Sequence, residues 1–275
     1  MKKYIQLFTL AMLVALLQAC GGDDSAAVKN LVGKADTSSP DGTLMAMVQS
    51  LKQNDIKALM QASMSKDAYT KAVADFETAK KTPPSEDDKA QFNKMMGMLT
   101  ADNAVDQIMT QAAPQLEQMR TQLPMLLMMG KGMAAQAIQS SNEIPAEQKE
   151  SITKVANALM DFVSENDVLS EEVTRKAISA AVDTAKSLNM GSLDELQNMS
   201  YDDAMAKASV VMGGAKNVLG AYGISLDDLL GSIEVSDVVE SGDNASMKLA
   251  YEFLGQTFSQ DVKMIKKDGK WTADK

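Results

Sequence analysis

Carboxylates, methionine thioethers and serine–lysine pairs are the side chains in this sequence that could do chemistry, because histidine is absent and there is one cysteine, Cys20. Without histidine there is no Ser-His-Asp triad, no imidazole metal site and no imidazole proton shuttle. A single thiol gives neither an intramolecular disulfide nor a CxxC site. Adjacent acids occur at Glu86-Asp87, Glu171-Glu172, Asp202-Asp203 and Asp227-Asp228, and two carboxylates suit general acid–base work. Each pair also follows closely on a serine that can cap a helix, where a carboxylate faces the helix's partial positive charge. That one rule accounts for all four pairs. None has the alternating acids, central glycine and closing glutamate of a calcium loop.

The 22 methionines cluster at Met95, Met96 and Met98, and again at Met125, Met128, Met129 and Met133. Met125, Met129 and Met133 recur every fourth residue and so share one helix face. Thioethers can ligate Cu(I), line an adaptable groove for an apolar ligand or protein partner, or fill a helical core. A copper site would ordinarily add histidine or a free cysteine, so no metal and no dissociable cofactor is expected. Ser63-Met64-Ser65-Lys66 and Ser151-Ile152-Thr153-Lys154 have Ser-x-x-Lys spacing but no glycine-rich elbow to hold an oxyanion. Gly130-Lys131-Gly132 lacks the spacing of a phosphate loop. No catalytic residue is assigned, and the chain is expected not to be an enzyme.

The elements that must carry these residues read as two blocks. The length of 275 residues and an apolar fraction of 45 % allow a packed core in one large or two ordinary domains. From residue 40 to 231 the pattern is helical, with start signals at Ser39-Pro40, Ser65, Ser85, Ser170, Ser192, Ser200 and Ser225. Ser192-Leu193-Asp194-Glu195 has the layout of a capping box. Pro83-Pro84 breaks the chain. A start or kink is expected near Pro114 and Pro124, another break at Gly130 and Gly132, and a fresh start after Ile144-Pro145. Gly213-Gly214 marks a kink or a close helix contact. Eight to ten helices follow.

From 232 to 275 the period changes to two. Ile233, Val235 and Val239 point one way. Ala245, Met247, Leu249, Tyr251 and Phe253 alternate with polar neighbours, and Asp268-Gly269 is a tight-hairpin signal. The fold class is therefore α+β: a mostly helical body with a C-terminal antiparallel meander of three or four strands packed on the helices.

The N-terminus carries an address. Lys2 and Lys3 precede an apolar run from Tyr4 to Leu17, shorter than the roughly 20 residues a spanning helix needs. Basic start, apolar run and small residue together form a secretory signal. Leu17-Gln18-Ala19-Cys20 resembles the lipobox of bacterial lipoproteins. The resemblance implies cleavage before Cys20, so that 1–19 is a signal peptide. It also implies a diacylglyceryl thioether on Cys20 and acylation of the new α-amine. Gly21, where that family uses Asp for inner-membrane retention, implies the outer membrane, facing the periplasm. Residues 20–39 read as a flexible tether with a reach of about 25 Å. Loss of Lys2 and Lys3 moves the formal charge from −10 to −12. That balance, with arginine only at Arg120 and Arg175, argues against nucleic acid.

Residues 39–61 with the terminal sheet region 232–275, which ends Lys267-Asp268-Gly269-Lys270-Trp271, resemble small cystatin-like or NTF2-like lipoprotein domains, in which a curved sheet wraps helices. The long helical stretch between has no counterpart in that family. The function expected is a membrane-anchored, non-catalytic binding or interaction module, its partner an apolar ligand or a protein. A purely structural envelope lipoprotein, with every methionine cluster in the core, is the alternative. An enzyme using carboxylate or Ser/Lys chemistry is the third reading.

Overall fold

The computed structural model describes residues 37–142, 144 and 146–273. The signal segment, Cys20 and most of the expected tether lie outside the described residues. Among those described, the order is α1 (Pro40–Lys52), α2 (Ile56–Ser63), α3 (Lys66–Ala79), α4 (Glu86–Leu99), α5 (Ala104–Ser140), α6 (Ala146–Glu165), α7 (Glu171–Leu188), α8 (Glu195–Asn198), α9 (Tyr201–Ala221) and α10 (Leu226–Gly231). The strands β1 (Glu234–Ser241), β2 (Asn244–Phe253), β3 (Gln256–Lys267) and β4 (Lys270–Ala273) follow, paired in chain order as one antiparallel meander. The protein is an α+β fold with a helical body and a terminal sheet.

Serine sets most helix starts. The side chains of Ser39, Ser65, Ser85, Ser170, Ser200 and Ser225 each accept a first-turn backbone N–H. Ser192 does not. Asp194 is the N-cap of α8, and Glu195 Oε1 accepts from the Gly191 and Ser192 amides at 2.7 and 3.2 Å. Only the carboxylate half of the expected capping box forms.

α5 departs most from expectation. It runs unbroken for 37 residues, roughly 55 Å, through Pro114, Pro124, Gly130 and Gly132. A proline removes one helical hydrogen bond and frees the carbonyl four residues earlier. Here those carbonyls belong to Thr110 and Arg120, both on exposed positions. Water can satisfy them, so neither proline ends the helix.

α7 and α9 form the central helix pair. The buried stripe of α7, Thr174, Ala177, Val182 and Ala185, is made of small side chains. On α9 the matching position is Gly214. A Cβ built there would stand 2.1 Å from Thr184 Oγ1 and 2.3 Å from Thr184 Cγ2. The glycine pair is thus a close helix contact, with Gly213 facing the Asn54 side chain. Gly214→Ala is expected to cost about 2–4 kcal/mol by forcing the helices apart. Gly220→Ala, on the same helix with nothing within 4 Å of the added methyl, should instead gain up to about 1 kcal/mol from helix propensity. Denaturant melts of the two variants check the opposite signs.

The core beside the sheet contains Ala245, Met247, Met264 and Trp271, packed with Leu44 and Met47 of α1 and with Val235 and Val262. Cross-strand pairing places Ala245 opposite Met264 and Met247 opposite Val262, so the period-two face of β2 is the packed face. The Asp268-Gly269 turn has φ of +55° and +76°, as a two-residue mirror-image turn requires. The β2–β3 turn is Leu254-Gly255, at +51° and +74°.

β1 corrects a second expectation. Ser236 pairs with Lys248 and Val239 with Ser246, so Asp237 and Val238 together oppose Met247. Asp237 takes φ +52° in this bulge. An extra residue reverses the alternation beyond it. Val235 therefore stays on the packed face opposite Leu249, while Val239 turns to the open face and is exposed.

Candidate functional site

α5 presents two faces. Its inner face, including Met109, Leu116, Leu123, Leu127 and Ile138, is half-buried or buried against α6 and α7. Its outer face carries Met125, Met128, Met129 and Met133, which are 62, 74, 50 and 66 % exposed. Met119 and Leu126 flank them and are likewise exposed. The four methionines share one outward face, but as a convex ridge. The core reading of this cluster is overturned by that exposure. The cause is which stripe of α5 is used: the neighbouring leucines and alanines take the inside. Met95 and Met98 on α4 are also exposed, whereas Met96 is buried.

This ridge is short of charge. Between Arg120 and residue 143 the only charged residue is Lys131, whose ammonium donates to Asp161 Oδ1 on α6. The outer face is methionine, leucine, glutamine and glycine. On a straight helix, residues 125 and 133 are about 12 Å apart along the axis. Thioethers pointing outward at that spacing do not converge on one ion.

The carboxylate pairs sit where the capping rule put them. Glu86-Asp87, Glu171-Glu172, Asp202-Asp203 and Asp227-Asp228 all lie in first turns behind Ser85, Ser170, Ser200 and Ser225. Lys176, 2.7 Å from Glu172, holds that carboxyl below its usual range. In the Ser-x-x-Lys stretches, Ser65 caps α3 and Lys154 pairs with Glu150 at 3.0 Å. The Tyr201 hydroxyl is pushed up to about 12, first by burial and then by Tyr69 and Asp202. It is a neutral packing group near neutrality, in edge-on contact with Tyr69 and Phe76.

Two polar arrangements were not singled out by spacing. A cleft of about 380 Å³ between α5 and the start of α7 is lined by Asp106, Met109, Leu116, Leu169 and both of the chain's arginines, Arg120 and Arg175. Arg175 is 2.6 Å from Asp106 and 3.7 Å from Glu171, and Arg120 pairs with Asp167. Each guanidinium is thus engaged by acids, and the pairs strap α5 to α7 and the turn before it. The rarity of arginine in a lysine-rich chain was the available signal. The second is Lys216, buried on α9. Its ammonium donates to the Leu51 carbonyl at 2.6 Å, the Lys52 carbonyl at 3.1 Å and Asp227 Oδ1 at 2.6 Å. It closes the C-terminus of α1 and joins it to the first turn of α10.

Among the described residues no helix is long and apolar enough to cross a membrane, and no group of three or more histidine, cysteine or acidic side chains could hold a metal ion. Compared with known protein families, curated proteins and solved structures, the chain matches none.

Proposed function

We propose that this chain is a bacterial envelope lipoprotein whose body is a non-catalytic interaction module, held through Cys20 and making its contact through the outer face of α5. The observation that carries the interaction role is the ridge itself. Four methionines at least half exposed on a stretch without free charge are costly to leave in water. A purely structural role would have put them in the core. The anchor rests on the lipobox-like Leu17-Gln18-Ala19-Cys20. The acidic pairs behind capping serines leave the carboxylates with a structural task, which favours binding over catalysis. The outer membrane, facing the periplasm, is the proposed location.

The anchor is tested by fractionating cells that express the full chain or its Cys20→Ala variant, with labelled palmitate in the medium. The wild-type chain should carry label and sediment with membranes. The variant should carry none, whatever its membrane association, because its uncleaved apolar run from Tyr4 to Leu17 can also hold it at the membrane. Label on neither chain, or equally on both, would refute the anchor.

A further inference from the structure

We propose that the methionine ridge of α5 is a self-association face, on which α5 of a second copy of this chain lies antiparallel about a two-fold axis near Met129. This rests on the ridge being the contact surface; it does not depend on the anchor. Three observations select a second copy.

The first is area. Met119, Met125, Leu126, Met128, Met129 and Met133 are all half or more exposed. Together they offer on the order of 600 Å² of apolar surface, at the upper end of what a monomer usually shows. With the flanking glutamines this approaches the roughly 800 Å² per partner of a standard interface.

The second is charge. A foreign partner or an anionic membrane would ordinarily be read by lysine or arginine beside the apolar face. Lys131 is turned to Asp161, and Arg120 is tied to Asp167. A ridge with no charge of its own matches another ridge with none. The rest of an acidic chain repels its copy, and salt screens that repulsion.

The third is shape. Two helices interlock only if each supplies holes as well as knobs. Gly130 faces inward, its missing Cβ 3.7 Å from Met160 Sδ, but Gly132 has nothing within 4 Å. Gly132 lies among the outward methionines and leaves a gap. The flexible thioethers of the facing helix can fill it. An isologous two-fold contact repeats this fit twice and closes, leaving no free ridge to propagate a fibre.

The test uses the full chain in cells, with a second thiol introduced at Met129→Cys or, as control on the same exposed face, Gln111→Cys. Near the axis, Met129→Cys should give an oxidised species of twice the chain mass. Gln111→Cys, far from the axis in an antiparallel pair, should not. Met129→Glu in the otherwise native chain should weaken association by about a hundredfold or more, because two carboxylates would meet in an apolar contact. Added salt should strengthen the native dimer. Because Met129 is exposed, unchanged melting of these variants shows that they fold. Monomer throughout, or equal cross-linking at 111 and 129, overturns the proposal. So does a cross-link to a chain of different mass, or a thiol at 129 that is monomeric and shielded by lipid. Those last two outcomes would leave the ridge a contact surface with another occupant. Loss of the anchor would show only in the Cys20 experiment.

Discussion

Trp271→Ala is expected to remove about 3–5 kcal/mol of stability, the range for deleting a buried aromatic. Trp271 is 1 % exposed and lies in the core cluster with Met247 and Met264. Its indole Nε1 donates to the Ser38 carbonyl at 3.2 Å, and the Lys266 ammonium sits 5.3 Å from the ring centroid. One side chain thus joins the last strand to the segment just ahead of the first helix. Nearby, Thr43, fully buried, donates its hydroxyl to the Thr37 carbonyl at 3.1 Å. Domains are stable by about 5–15 kcal/mol, so this loss is a large share of the total. Trp271→Phe keeps an aromatic ring and should cost less than half as much. Urea melts of the two variants check the order. A loss below about 1 kcal/mol for alanine would mean that the sheet is not fastened to α1 through this residue.

Lys216→Met should cost about 3 kcal/mol, although methionine fills a similar volume. The lysine ammonium is the shared donor to two carbonyls and one carboxylate. Its removal takes the charged donor from the Lys52 carbonyl and leaves the Leu51 carbonyl to the Asn54 N–H at 3.1 Å, and losing hydrogen bonds from a buried ammonium is expensive. Asp227→Asn should cost far less, on the order of 1 kcal/mol or below, because the Asp227 side chain is mostly exposed and water can replace it. The asymmetry is the test. Equal losses would assign the energy to the ion pair. A larger loss at Lys216 assigns it to the closing of α1.

The periodicities carried the architecture. The change from a helical pattern to clean alternation at Ala245, Met247 and Leu249 reflects one buried sheet face, which chemistry alone dictates. Serine caps were legible because a cap needs a particular side chain at one place in the chain. Features that depend on what lies opposite were not. The β1 bulge at Asp237 is a matter of register between two strands, and it moved Val239 to the open face. Pro114 and Pro124 read as starts or kinks, but the carbonyls they free belong to Thr110 and Arg120, which are exposed. The spacing of Met125, Met129 and Met133 fixed a common face without saying which way it pointed. That depended on α6 and α7 covering the leucine side of α5. Lys216 looked like one lysine among many, because its acceptors lie far away in sequence.

In its own envelope the protein should have its α5 ridge occupied. Methionine oxidation in intact cells reads this directly, because the chain carries its own standards. Met95 and Met98 are exposed away from the ridge, and Met247 and Met264 are buried. Mild oxidation of cells followed by mass mapping should find Met125, Met128, Met129 and Met133 protected at least about fivefold relative to Met95, near the level of Met247, since the sulfur reacts where water reaches it. The Met129→Glu chain should lose that protection at the three remaining positions. Ridge methionines oxidised as fast as Met95 in the cell would mean that the ridge is bare and is not a contact surface.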